Sequence, residues 1–461
     1  MTSLFDSFRS SNHHPTLPEP GLFHYRKEEG EDKTRVHLRI DPDGRGILII
    51  NANRMIQLNP SAAVMTFLLL EGNSEKQALR KLKKYFKISK EQAQEDLTEF
   101  KSQLGALLEP NGACPVCDLN LETTAPFSAK LSAPYRMDLA ITYRCNNDCL
   151  HCYNARPRNY PEMSVDEWKQ VIDKVWSLRI PHVVFTGGEP TLFNGLPELI
   201  AYAEEKGIIT GLNTNGRRLA NQDYLDSLLE AGLDHVQITF ESHDQAIHDQ
   251  MVSARGAWKE TVQGLKNVLA TPLYVMTNTT MLQQNRNSIE DTLHFLAKLR
   301  VPTIGLNALI YSGKGETIGT GLDESELPEL LNKAHEITVK NNQRLIWYTP
   351  TQYCHFNPIQ RGLGVKGCTA ALYNMCVEPN GDVIPCQSYY HSLGNLLQKP
   401  WNEIWEHPLA LALRNRTAIP EGCKSCDFLP ECGGGCPLAR KHQSIKPIQN
   451  PVFSSIYEIM E

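Results

Sequence analysis

Cys145, Cys149 and Cys152 are separated by three and then two residues, with His151 just before the last. Cubane iron–sulfur clusters are held by Cys thiolates and normally take four. A loop that supplies three leaves one iron free for another ligand. The same three thiols with His151 could instead close a four-ligand structural zinc site. A second thiol-rich stretch lies near the C-terminus: Cys368, Cys376 and Cys386, then Cys423, Cys426, Cys432 and Cys436, the last two separated by Gly433, Gly434 and Gly435. So short a Gly- and Cys-rich run has little apolar material for a core, and metal ligation would supply much of its folding energy. Cys114, Cys117 and Cys354 complete a set of thirteen. The odd number and the absence of a signal-peptide core in the polar N-terminus argue against a disulfide framework and for a reducing, cytoplasmic setting.

The stretch Cys145-Asn146-Asn147-Asp148-Cys149-Leu150-His151-Cys152 resembles the cluster loop of the radical S-adenosylmethionine (SAM) enzymes. Thr186-Gly187-Gly188-Glu189-Pro190, one β/α unit later, resembles that family's SAM-binding segment. The resemblance implies a [4Fe–4S] cluster on Cys145, Cys149 and Cys152 with SAM on the open iron. It implies SAM contacts from His151, Gly187, Gly188, Glu189 and Pro190, and from Asn213, Asn215, Thr239 and Glu241 at later strand ends. Relatives more often carry Ser and Asp where this chain has Thr239 and Glu241. The C-terminal Cys pattern, with Gly381 to Cys386, resembles the SPASM extension of the same family, which holds one or two auxiliary iron–sulfur clusters. That pattern implies Cys368, Cys386 and Cys436 for one cluster, with Cys376 as a candidate fourth ligand, and Cys423, Cys426 and Cys432 for a second. The fuller family pattern has one more Cys after this run, and here Cys354, the Cys114/Cys117 pair, substrate or water could fill that place, or zinc could stand instead of the cluster. No amino-acid general acid or base is identifiable.

The elements that must position these groups alternate. Strands are expected at 137–142, 182–186, 208–213, 235–240, 273–279 and 304–309, and helices at 165–178, 196–205, 223–231, 258–269 and 288–299. Six such repeats make an α/β fold with a parallel sheet and right-handed crossovers. The family's version is an incomplete (β/α)6 barrel, and in barrels of this kind chemistry sits at the C-terminal strand ends. The cluster loop follows the first strand. Ser312-Gly313-Lys314-Gly315 lacks the upstream Gly of a phosphate loop and reads as a turn. Asp323 to Asn341 is a further helix.

Upstream, Val36–Ile40, Gly46–Asn51 and Arg54–Leu58 read as strands and residues 62–70, 75–86 and 91–108 as helices. This winged-helix-like α+β unit resembles the peptide-recognition domain of pyrroloquinoline-quinone biosynthesis, in which a leader peptide adds a strand to the sheet edge. The chain therefore divides into a disordered tail (1–22), the peptide-recognition domain (23–110), a linker with the Cys114/Cys117 pair (111–134), the SAM region (135–312), a bridging helix and connection (313–366), a small iron–sulfur domain (367–445) and a C-terminal tail (446–461). Net charge is −6 over 461 residues and no apolar run is long enough to span a bilayer, which sets aside nucleic-acid and membrane partners. The expected function is modification of a ribosomally made precursor peptide through a 5′-deoxyadenosyl radical, giving a thioether or carbon–carbon crosslink. A flavodoxin or ferredoxin would donate the electron. The alternatives are a maturase of a folded protein or cofactor precursor, and a non-catalytic iron–sulfur or zinc scaffold that binds peptide.

Overall fold

The computed structural model describes residues 9–10, 18–29, 32–51, 54–108 and 131–442. Cys114, Cys117 and the C-terminal tail lie outside them.

The first unit is an antiparallel sheet in the order β1 (Arg9–Ser10), β2 (Gly21–Glu29), β3 (Asp32–Ile40), β4 (Gly46–Ile50) and β5 (Arg54–Leu58). Three helices follow, α1 (Pro60–Leu70), α2 (Glu75–Tyr85) and α3 (Lys90–Leu108). Asn59 caps α1, its side chain accepting from the Ala62 amide at 2.9 Å, and the Ser74/Gln77 pair forms a capping box on α2. The sheet has two strands more than expected. In β2, polar residues such as His24, Arg26, Lys27 and Glu28 hide the strand signal.

Strand β3 shows how the two units join. Val36, Leu38 and Ile40 point into the apolar cluster under the helices. Arg35, His37 and Arg39 point the other way, as period-2 alternation requires, yet they are buried too. That face lies on the N-terminal ends of the next domain's strands. Arg35 pairs with Asp234 at 3.1 Å and with Glu204. His37 Nε2 donates to the Gly207 carbonyl at 2.6 Å. Arg39 reaches Asp41 at 3.0 Å and the Ala133 carbonyl at 3.1 Å. Ile47 and Ile49 pack beside them on Tyr135 and Ile209.

The second unit is built on a ten-stranded sheet. Seven parallel strands run in sequence order: β6 (Arg136–Thr142), β7 (His182–Gly187), β8 (Ile209–Thr214), β9 (His235–Thr239), β10 (Tyr274–Thr280), β11 (Thr303–Asn307) and β12 (Arg344–Trp347). Helices α4 (Val165–Ser177), α5 (Leu196–Glu205), α6 (Gln222–Glu230), α7 (Gln245–Met251), α8 (Ala257–Leu269), α9 (Ile289–Lys298) and α10 (Leu327–Lys340) fall between them. Their apolar faces close one continuous core with the strands. Strand β12 was not anticipated: four residues behind the polar run Asn341–Gln343 carry too short a pattern. On the far side of β6 the C-terminal segment joins the same sheet. There β13 (Asn374–Val377) runs parallel to β6, and β14 (Asp382–Ile384) and β15 (Gly394–Asn395) follow antiparallel. The Pro379–Asp382 turn joins β13 and β14 as a hairpin, with Gly381 at φ 89°.

Candidate functional site

Strand β6 ends in the three-cysteine loop, and the loop is held by backbone rather than by its own regular structure. The Asp148 and Leu150 amides donate to the Val252 and Met251 carbonyls, each at 2.9 Å. Arg158 donates to the carbonyls of Cys145 and Asn147. Arg217 donates to the Asn146 carbonyl at 2.6 Å, and Asn215 Nδ2 to Asn146 Oδ1 at 2.6 Å. The Lys314 amide donates to the Cys152 carbonyl at 2.9 Å. The expected turn at 312–315 is thus a short helical clamp on the loop. A Cβ at Gly313 would stand 2.7 Å from the Cys152 carbonyl oxygen, which is why the segment looked like a phosphate loop without being one.

The Gly187–Pro190 segment packs directly behind the loop. The Gly188 and Glu189 amides donate to the Thr142 and Arg144 carbonyls at 2.8 Å. A Cβ at Gly187 would overlap the Thr142 carbonyl oxygen, and one at Gly188 would overlap that of Arg144. Both positions therefore need glycine for close backbone approach.

A cavity of about 1150 Å³ is lined by residues of the parallel strands and of the cluster loop. Its wall includes Cys145, Cys149, His151, Cys152, Gly187 and Gly188, and, from the later strand ends, Asn213, Asn215, Thr239 and Glu241. Glu189 and Pro190 are not in that wall. The fully buried Glu189 carboxylate instead accepts from the Thr191 amide and hydroxyl (3.1 and 2.7 Å), the Thr214 hydroxyl (2.7 Å) and the Asn215 amide (2.8 Å). It joins the end of β7 to the end of β8, and Pro190 begins a 3₁₀ turn behind it.

Glu241 is a second fully buried carboxylate at these strand ends. It accepts from His151 Nε2 at 3.0 Å and from the Thr280 amide at 2.9 Å. With Nε2 donating, His151 presents Nδ1 as a bare acceptor, and that atom is buried without a partner. Asn278 Oδ1 and Asn307 Oδ1 are also buried and unpartnered, on the same wall. Sequence reading missed these two asparagines, though a polar residue at the end of an otherwise apolar strand is the signal that finds them. Tyr153 was missed too. It follows Cys152 and donates to Gln387 at 2.8 Å, tying the loop to the residue after Cys386.

The C-terminal thiols form two groups. Cys368, Cys386 and Cys436 lie together. Burial pushes the first two thiols up to about 12, with one another and Cys436 adding to the effect. Cys376, the expected fourth ligand, is fully buried, and its thiol is raised first by burial and then by Asp138, Glu378 and Cys386. It sits on β13 in an apolar cluster with Ala140, Tyr143 and Ile384, and its thiol donates to the Val377 carbonyl at 3.7 Å. Cys423, Cys426 and Cys432 make the second group.

Three family models match the chain in order. "Coenzyme PQQ synthesis protein D (PqqD)" matches residues 40–107, "Radical SAM superfamily" residues 139–296, and the SPASM "Iron-sulfur cluster-binding domain" residues 368–427. Fe-coproporphyrin III synthase of Methanosarcina barkeri is 29% identical over 327 residues, 64% of this chain and 81% of that protein. PqqA peptide cyclase of Bradyrhizobium diazoefficiens is 27% identical over 331 residues, 68% of this chain and 84% of that one. In three dimensions the chain resembles Streptococcus suis SuiB bound to precursor peptide SuiA, with a TM-score of 0.66 at 17% identity over 91% of this chain and 97% of the other.

A radical SAM domain brings a [4Fe–4S] cluster with SAM, and a SPASM domain brings auxiliary iron–sulfur clusters. The residues present fit both. Burial first of all pushes the Cys145 thiol up to about 11 and raises Cys149 and Cys152 as well, so these thiols need a cationic centre to become thiolates. Among the described residues no three His, Cys, Asp or Glu side chains close on a single metal ion, as a compact zinc site would require. The orphaned acceptors on His151, Asn278 and Asn307 suit the amino and hydroxyl donors that SAM carries. The chain carries a radical SAM domain, with a PqqD domain before it and a SPASM iron–sulfur domain after it.

Proposed function

We propose that the protein is a peptide-modifying radical SAM enzyme that introduces a thioether or carbon–carbon crosslink into a ribosomally made precursor. The observation that carries this reading is the seating of the PqqD domain beneath the SAM region. The cavity that begins at the cluster loop extends down to Arg35, Ile49 and Asn51 of that domain. A peptide held by the small domain would have its modified segment within reach of the loop. Strand β5 has β4 as its one strand neighbour among the described residues, and the leader would extend the sheet there through main-chain hydrogen bonds. The seven parallel strands would curl as an incomplete barrel around the cavity; lining residues from β6 through β12 support this.

In this reading Cys145, Cys149 and Cys152 hold the SAM cluster. The clamps from Arg158, Arg217 and Lys314 fix the loop, and Glu241 orients His151 towards SAM. Gly187, Gly188, Asn213, Asn215 and Thr239 complete the wall. When bound, the cluster and SAM supply the reductive cleavage that yields methionine and a 5′-deoxyadenosyl radical, which takes a hydrogen atom from the substrate. The chain's residues orient the reacting carbon and keep water from it. A flavodoxin or ferredoxin would be the electron donor and the cytoplasm the setting. No helix among the described residues is long and apolar enough to cross a membrane.

The 29% identity to Fe-coproporphyrin III synthase favours a second reading, a small cofactor precursor as substrate. Anaerobic co-expression with a candidate precursor separates the two. A peptide lighter by about two mass units per new link, formed with 5′-deoxyadenosine and lost in Cys149→Ala, supports the first, because each link removes two hydrogens. An unmodified peptide alongside turnover of a tetrapyrrole would overturn it.

A further inference from the structure

The second C-terminal thiol group has three members in sequence, Cys423, Cys426 and Cys432, and a cubane normally takes four. No Cys follows Cys436 in residues 437–461. The fold brings another thiol to the place. The segment Thr351–Cys354, which follows β12, lies against the Cys432 turn. Cys432 Sγ accepts from the Tyr353 amide at 3.4 Å and donates to the Thr351 carbonyl at 3.5 Å. The Tyr353 ring meets that of Phe428 at 6.3 Å. A Cβ on Gly435 would stand 2.8 Å from the Gln352 side chain, so the glycine run admits this segment. Cys354 is the next residue along.

We propose that Cys354 is the fourth protein ligand of an auxiliary iron–sulfur cluster held by Cys423, Cys426 and Cys432. The proposal rests on the SPASM domain as a cluster carrier and not on the identity of the substrate. The contacts of Thr351 and Tyr353 with Cys432 place Cys354 beside this group. On ligation each thiol exchanges its proton, released to solvent, for a bond to iron, and no electron moves. Cys354 is an exposed residue, which a bystander thiol would share, but only a ligand would also be unreactive.

That difference gives the test. Protein purified anaerobically with its clusters is treated with iodoacetamide and mapped by mass spectrometry, before and after iron is removed with a chelator. Cys354 is expected to resist alkylation in the loaded protein and to react once iron is gone; equal labelling in both states overturns the proposal. In parallel, Cys354→Ala and Cys423→Ala are compared with the parent for iron, sulfide, zinc and electron paramagnetic resonance. Each variant should lose about four irons and four sulfides, the content of one cubane, or show a three-iron signal absent from the parent. Parent-like iron and spectra in Cys354→Ala overturn the assignment, as does zinc on these thiols in the parent. The readout is metal and thiol reactivity, so its failure leaves the peptide reading standing.

Discussion

Replacing Glu189 with Gln tests whether this residue of the Gly-Gly-Glu-Pro segment contacts SAM or braces the strands behind it. Oε1 takes three of its four hydrogen bonds and Oε2 takes the Asn215 amide. A Gln keeps its carbonyl at the Oε1 position and turns an NH₂ group towards the Asn215 N–H. One buried donor–donor clash follows, worth about 1–3 kcal/mol, and more for a bond to a charged acceptor. Burial raises the pKa of this carboxyl above its ordinary value, so removing the charge recovers part of that loss. We expect a net loss of about 2 kcal/mol for Glu189→Gln and about 4 kcal/mol for Glu189→Ala, which strands all four donors. At about 2–4 °C per kcal/mol for a domain of this size, Glu189→Gln should lower the Tm of the SAM-free, cluster-loaded protein by about 4–8 °C. Thr214→Val removes one of the same bonds, so the two changes should be non-additive by about 1 kcal/mol. Calorimetry with and without SAM, and SAM affinity by equilibrium dialysis, are the measurements. A SAM-free Tm equal to the parent's, with a SAM Kd more than about tenfold weaker, would refute the bracing role and return Glu189 to the binding wall.

The His151→Phe variant should keep its iron and bind SAM about tenfold more weakly, as expected for one lost hydrogen bond to a buried acceptor; parent-like affinity by dialysis would remove His151 from the site. Gly188→Ala cannot be accommodated without moving the 143–144 backbone, so its SAM-cluster iron should fall to a minor fraction of the parent's by iron assay, and full occupancy would contradict the packing described. Buried His24 and His235 have pKa values lowered to about 3 and about 4, chiefly by burial. The unfolded chain therefore binds more protons from about pH 6.5 downward, and stability rises with pH through that window and levels above it. Each histidine accounts for at most about 2 kcal/mol lost between pH 7.5 and pH 5. Urea midpoints at the two pH values should show a smaller drop for His24→Gln than for the parent, and an equal drop would exclude its contribution.

The six anticipated SAM-region strands lie within two residues of the observed ones because alternation of apolar strands and amphipathic helices is a local pattern. What escaped was decided by tertiary contact. Arg35, His37 and Arg39 have the pattern of a solvated face; they are buried because Glu204, Asp234, Gly207 and the 132–134 backbone meet them from a distant part of the chain. Glu189 carries a recognisable motif, but nothing in the motif says which way its carboxylate points. Cys376 fits a spacing and sits on a strand whose side chain faces apolar neighbours. Cys354 fits no spacing, so the sequence offers it only as one of several candidates, and it is the path of the chain after β12 that brings Thr351 and Tyr353 against Cys432. The cluster loop was legible because its ligands are close in sequence, and the auxiliary thiols less so because theirs are not.

The small domain's sheet is covered on both faces, by its own helices on one side and by the SAM region on the other. A peptide that bound to the face towards the SAM region would have to displace buried Arg35 or Arg39 from their carboxylates. Removing one partner of such a buried pair typically costs about 3–5 kcal/mol, which a weak leader contact could not offset. Strand addition at β5 would use main-chain groups alone. It therefore tolerates many leader sequences, while the choice of residue to be modified is left to the cavity above. On this account, exchanging the leader for another of equal length should alter affinity more than product identity, and a swap that redirected the crosslink would count against it.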